Sequence, residues 1–451
     1  MLSNRHLEKL ARWLIYFLMA FLPFQVDFEL EFLYNLWLTP LLVTLLLLCL
    51  ILLGYMIFFG KFPAMPFLGL ILIYGVLSSF SYLRGYEFNS VFQGVWVILR
   101  LAWLPLFAYL VVYKFLNKRA SILSLKILAC SAALSSTLAA IQTISTGKIL
   151  GGFITNQRYL GIFQKLPDWI VGGRIENLFL LPAGIYRGHG GFHSSNLFGA
   201  FLCVTMCISW ALFRRAQKRR DFWMTIFLLQ VVGILVTFSR SAYAAGVVSL
   251  TLMLVVEQIN FNKQRLETRL LLTLTGVSIF ILFLMALLIF SETLRSRFLS
   301  IFDPLNVPEF TWRIMVWETA LEKILKNPWI GTGISGVISL PDRFGNLVTY
   351  GAHNLFIGVA YEQGLVSLLI FSYLFLVGLL YNSWRMVSKV KDRNERYIGL
   401  GVFAAAVSFA ISGIGSNLMS FENLAFVFWI LFGMLLNWRQ QLSRRETLMA
   451  L

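Results

Sequence analysis

The sequence predicts an all-α fold: a polytopic membrane helix bundle of about 12 transmembrane helices, with short amphipathic helices in its outer loops. Three observations lead there. Apolar residues make up 58% of the 451-residue chain and charged residues only 13%, about half the charged share of a soluble domain. Apolar stretches of bilayer length recur from end to end. Basic residues gather in short loops on alternate sides of those stretches.

The stretches fall at 10–26, 36–59, 64–82, 91–115, 122–145, 192–213, 222–239, 240–256, 270–290, 364–384, 397–416 and 422–438. The first is short and follows the charged segment Met1–Arg12. No small-residue cleavage site follows it, so it reads as a retained span and not as a signal peptide. The two spans around Ser239 are joined by almost nothing. With the N-terminus in the cytoplasm, 23 of the 38 basic residues fall in seven short cytoplasmic segments, as the positive-inside rule asks. Among these segments are Lys114–Arg119, Arg214–Arg220, Arg385–Arg396 and Arg439–Arg445. Both termini then lie inside. The net charge of +17 is therefore a topology signal. Spread over many loops with no binding module, it points away from nucleic acid. No internal repeat appears, so residues 1–451 form a single membrane domain with two long outer loops at 147–190 and 291–352.

Polar residues collect at that outer boundary. Arg240, in the turn Phe238-Ser239-Arg240-Ser241-Ala242-Tyr243, lies at membrane depth, where an arginine faces protein, water or an anion. Downstream, Ile314, Trp317, Leu321 and Ile324 recur at helical spacing. Thr311 reads as the cap of that helix and Asn327-Pro328 as its end. This is an amphipathic helix on the outer interface, with Arg313 in a first turn whose unpaired N–H groups favour anions. Gly331-Thr332-Gly333 after it is too short for a phosphate loop. His353 and Asn354 open the next apolar helix. Histidine exchanges protons near neutral pH, and Glu362, nine residues on, would orient the ring and raise its basicity. Arg187, His189, His193 and Asn196 line a glycine-rich approach to a further span.

Metal readings are weaker. His189 and His193 have no carboxylate or thiolate partner nearby. Cys203 and Cys207 share a helix face, but no other Cys or His stands at zinc spacing, so they read as small buried apolar residues. Asp27, Glu29 and Glu31 alternate in the first outer loop, and an extended backbone would set all three on one side. A metal-dependent glycosyltransferase is the rival that these carboxylates raise. A transporter of lipid-linked or anionic solutes is another, although the polar residues gather at one face and not at the midplane, Arg100 excepted.

From Arg187 onward the chain resembles the O-antigen ligase/polymerase family of bacterial polysaccharide assembly. Four blocks carry the resemblance: Arg187 to Asn196; Thr237-Phe238-Ser239-Arg240-Ser241; Arg313 with Trp317, Ala320 and Asn327-Pro328-Trp329-Ile330-Gly331-Thr332-Gly333; and His353-Asn354 followed after nine residues by Gly364. Ser367 stands where the family often has a second glycine, a change that bears on helix packing. The resemblance implies a bacterial inner-membrane enzyme that takes a glycan from a polyprenyl diphosphate carrier without cofactor or metal. The acceptor is a hydroxyl on the lipid A–core oligosaccharide in the ligase branch, or another carrier-bound repeat in the polymerase branch. Arg240 and Arg313 would bind the donor diphosphate and His353 would assist the acceptor hydroxyl. Arg187, His193, Asn196, Tyr243, Asn354 and Glu362 would support them.

Overall fold

The computed structural model describes residues 4–24, 28–30, 36–38, 40–59, 65–85, 91–145, 187–192, 194–261, 299, 308–333, 338–341 and 347–450. Helices dominate: α1 (Asn4–Phe21), α2 (Pro40–Phe59), α3 (Leu68–Gly85), α4 (Val91–Ile98), α5 (Leu104–Phe115), α6 (Lys118–Ser145), α7 (Ser195–Arg215), α8 (Arg220–Val236), α9 (Arg240–Phe261), α10 (Pro308–Lys326), α11 (Leu355–Tyr373), α12 (Asn382–Lys389), α13 (Arg393–Ile414) and α14 (Glu422–Ala450). To this expected α architecture the structure adds two antiparallel hairpins. One pairs β1 (Phe28–Leu30) with β2 (Leu36–Leu38), the other β3 (Ile338–Pro341) with β4 (Leu347–Tyr350).

Among the described residues, five helical segments are long and apolar enough to cross a membrane: Lys118–Thr143, Ser195–Arg215, Arg240–Ile259, Leu355–Lys389 and Arg393–Ile414. Shorter apolar helices run at Leu42–Phe58, Leu68–Arg84 and Leu104–Phe115. The expected span 270–290 lies outside the described residues.

The centre of the bundle is α7, which packs on α13, α8 and α9. It is apolar and buried on nearly every side, as a helix enclosed by others should be. Small residues set the spacing: a Cβ built on Gly401 would stand 2.6 Å from that of Ala211, and one on Gly199 would stand 2.6 Å from that of Ala242. Cys203 and Cys207 are fully buried in this packing.

One end of the bundle gathers the basic loops. Lys118 pairs with Glu395, Arg214 with Glu257, and Arg12 donates to the Phe115 carbonyl at 2.9 Å. Cations at the last turn of a helix meet unpaired carbonyls there. Arg100 lies in the π-helical stretch Leu99–Trp103 between α4 and α5 and pairs with Glu422 at the start of α14. A carboxylate 322 residues away thus answers the one mid-span arginine that the transporter reading had drawn on.

A second device sits in α11. At Gly364 the backbone leaves the helix (φ 85°, ψ 170°), which frees carbonyls from the helical ladder. The turn after α10 supplies the missing partners, two donors and an acceptor. Thr332 N–H bonds to the Tyr361 carbonyl at 2.8 Å, Gly333 N–H to that of Glu362 at 3.0 Å, and Leu365 N–H to that of Pro328 at 2.7 Å. Ser81 adds a hydroxyl to the Glu362 carbonyl at 2.6 Å. The glycine-rich turn is therefore a plug for a kinked helix.

Gly364→Ala should destabilise the protein by at least about 1–3 kcal/mol, the cost of a side chain in this backbone region. Its Cβ would also lie 2.2 Å from the Trp329 carbonyl oxygen. Thermal unfolding in detergent checks this, with Gly69→Ala, where nothing lies within 4 Å, as a control expected to be neutral or slightly stabilising.

Candidate functional site

At the opposite end of the bundle, three polar segments meet. The first is the turn between α8 and α9. Thr237 hydroxyl donates to the Ile234 carbonyl at 2.7 Å and Phe238 takes a positive φ of 50°. Tyr243 N–H then bonds to the Ser239 carbonyl at 3.0 Å. These contacts reverse the chain within three residues and set Arg240 as the first residue of α9.

Arg187 braces that turn. Its Nε donates to the Thr237 carbonyl at 2.9 Å and its Nη2 to Asn196 Oδ1 at 2.7 Å. The neighbouring Gly188 N–H bonds to the Val236 carbonyl at 2.8 Å. Tyr243 is buried and donates its hydroxyl to the Leu235 carbonyl at 2.6 Å. Arg187, Asn196 and Tyr243 thus hold the scaffold of Arg240. Ser194, one residue before α7, caps that helix by accepting from Asn196 N–H at 3.3 Å. His189 is fully buried, with its backbone N–H on Gln142. His193 lies outside the described residues, so the His189–His193 pair is not described as a pair.

The second segment is α10. It begins at Pro308, three residues before the expected cap at Thr311, and proline suits a first helical turn. Arg313 consequently sits in the second turn, away from the unpaired N–H groups it was expected to accompany. The buried face is also rotated. Val316, Ala320 and Ile324 are buried against Ile338, Ala352, Ala360 and Tyr361, while Leu321 is exposed. The helix packs on protein through this stripe, and its exposed side mixes Met315, Leu321 and Leu325 with Glu318 and Glu322.

Arg313 reaches toward Gly415, the residue that ends α13. A Cβ on Gly415 would lie 3.4 Å from Arg313 Nη1, 3.0 Å from Ser241 Cβ and 3.3 Å from its Oγ. Arg313 and Ser241, the neighbour of Arg240, therefore converge on one backbone point.

The third segment precedes α11. Trp317 donates its indole N–H to the Ala352 carbonyl at 2.8 Å. His353 then adopts a left-handed φ of 45°, a conformation costing on the order of 1–3 kcal/mol for a residue with a side chain. Asn354 caps the helix, accepting from Phe356 and Ile357 N–H at 3.0 and 3.1 Å, and donates to the Ile414 carbonyl at 3.3 Å. The strained turn is thus pinned on both sides, and one pin reaches the residue beside Gly415.

His353 is exposed to solvent. Even so, crowding by protein, and then the charge of Arg313, hold its imidazole below the ordinary histidine range. Its neutral form is accordingly present at neutral pH. Glu362 does not serve as its partner. That carboxylate accepts from Asn417 Nδ2 at 3.2 Å, beside a cavity of about 20 Å³ lined also by Tyr74, Ser78 and Gln363. Such a space holds a single water. The charge felt by His353 is a cation's, which lowers its basicity where a carboxylate was expected to raise it. Ser367 is buried and donates to the Gln363 carbonyl at 3.0 Å, a packing role as expected.

Gly415 and Asn417 were missed in the sequence. Their signal is the cluster Gly413-Ile414-Gly415-Ser416-Asn417 between two apolar runs, which marks a turn. Glu29 lies in β1, while Asp27 and Glu31 lie outside the described residues. Among the described residues, no three His, Cys, Asp or Glu side chains group as a metal site would.

No curated protein matches the chain. Residues 225–372 match the model of the O-antigen ligase family, a stretch that runs from within α8 through most of α11 and contains Arg240, Arg313, His353 and Asn354. About a third of the chain is thus similar to the O-antigen ligase family, and the matched stretch includes the two arginines and the histidine.

Proposed function

We propose that the chain is a membrane glycosyltransferase of the O-antigen ligase type. It moves a glycan from a polyprenyl diphosphate carrier to an acceptor hydroxyl at the outer face of the bacterial inner membrane. The observation that carries this reading is the meeting of Arg313 with Ser241, next to Arg240, and with the electrostatic neighbourhood of His353.

In this reading Arg240 and Arg313 hold the diphosphate. Guanidinium forks match phosphate oxygens and stay charged at any working pH. As the anomeric carbon–oxygen bond breaks, negative charge grows on the departing phosphate, and fixed cations stabilise it without reorganising. His353, neutral beside Arg313, accepts the proton of the acceptor hydroxyl as its oxygen bonds to the anomeric carbon. A positioned base of this kind contributes about 10²–10⁴-fold. Attack opposite the leaving group inverts the anomeric centre. The arginines take the role that a metal has elsewhere, so the reaction needs none. The basic loops gathered at the other end support an orientation with both termini cytoplasmic and the site in the periplasm.

His353→Ala and Arg313→Ala should each abolish glycan transfer while membrane insertion persists, and EDTA should leave the wild type active; full activity in either variant overturns the proposal. In the source organism, deletion followed by gel analysis of surface polysaccharide tells the branches apart. A ligase mutant loses long chains from its lipid anchor, whereas a polymerase mutant keeps single-unit attachments.

The acid limb of activity should lie below about pH 6.5, the ordinary histidine value. Arg313→Gln removes a cation that disfavours the imidazolium, so the His353 pKa should rise, as read by NMR titration of its ring. Gly415→Ala should lower transfer by about tenfold or more through the shift its methyl group forces on Ser241, 3.0 Å away and next to Arg240, with thermal unfolding near that of the wild type.

A further inference from the structure

A cleft of about 900 Å³ opens between α1, α6 and α8, a size that accommodates drug-sized molecules. It is separate from the site above. Its rim lies at the start of α8, while Arg240 follows that helix's other end. Phe21, Ile127, Leu134 and Phe222 form its apolar wall, and Lys126, Lys218 and Arg219 stand along it.

The charges are not incidental to the packing. Lys126 lies eight residues into α6 and is half-buried, with Nζ 5.8 Å from the ring centre of Trp223. Lys218 and Arg219 are exposed. Arg219 takes a left-handed backbone (φ 57°) at the start of α8, with no side-chain cap there. Among the described residues none of the three cations forms an ion pair with a carboxylate, and Asp221 is the acid in the adjoining helical turn. The wall faces outward: Leu134 is 63% exposed and Phe222 48%. An apolar trough that opens sideways and carries three cations complements one class of molecule, an amphiphile with an anionic head and a hydrocarbon tail.

We propose that this cleft is a binding site for an anionic phospholipid, its phosphate among Lys126, Lys218 and Arg219 and its acyl chain along Phe21, Ile127 and Leu134. Basic pockets between membrane helices select anionic headgroups in this way. Each cation removed should weaken binding about fivefold.

The test is native mass spectrometry of the full chain in detergent with phosphatidylglycerol and phosphatidylcholine of identical acyl chains. Phosphatidylglycerol should bind at least about tenfold more tightly. The variant Lys126→Ala/Lys218→Ala/Arg219→Ala should lose that preference, and Arg385→Ala/Lys389→Ala/Lys391→Ala should keep it. Inorganic phosphate alone should not displace the lipid. Equal binding of the two lipids, a preference that survives the first variant, or equal loss in the second overturns the proposal. Should the first variant fold poorly, Leu134→Trp fills the trough while leaving the cations. It should then reduce binding of phosphatidylglycerol, and unchanged binding overturns the proposal.

Discussion

A missing side chain holds the site together. At Gly415 the end of α13 meets the start of α9 and a side chain from the second turn of α10, so that a methyl group would crowd Ser241, 3.0 Å away, and touch the Arg313 guanidinium. The guanidinium lies within electrostatic reach of His353, whose imidazole is held toward its neutral form first by the protein crowded around it and then by this charge. The same cation suits an anionic donor. An anion bound at Arg313 would offset the guanidinium's charge, so the imidazole would gain proton affinity as the donor arrives. In that arrangement the base would strengthen when there is a reaction to assist.

The rigidity behind this comes from the interlock between α10 and α11. A kinked helix exposes carbonyls that lipid cannot satisfy. Here the turn that follows α10 satisfies them, with Thr332 and Gly333 donating into the break at Gly364. Trp317 adds a bond from α10 to Ala352. Arg313 and His353 are thus carried on two helices fastened at both ends of their contact. The orientation of one side chain toward the other follows from backbone hydrogen bonds, not from flexible contacts at the surface.

Much of the helical plan was legible because apolar stretches of bilayer length announce themselves. Most expected spans meet a described helix within a few residues. The register of α10 was harder to read. The helical spacing of Ile314, Trp317, Leu321 and Ile324 suggested one buried face, while the structure buries Val316, Ala320 and Ile324. Burial chose the second set, since a small Ala320 admits close approach to α11. Pairings were the least legible. Nothing local ties Glu362 to Asn417 or Arg100 to Glu422, so the nearer His353 drew Glu362 and Arg100 seemed unanswered. The arginines and the histidine were singled out through the resemblance of their motifs, but Gly415, where Arg313 and Ser241 meet, carries no chemistry to advertise it.

Arg187 closes one of the two long loops, and its guanidinium is fastened to the reverse turn that launches α9. The fastening points are the Thr237 carbonyl, three residues before Arg240, and Asn196 in the first turn of α7. The residue that ends the loop and the turn that carries the charge thus share one set of hydrogen bonds, and a change at Arg187 reaches Arg240 through three residues of backbone.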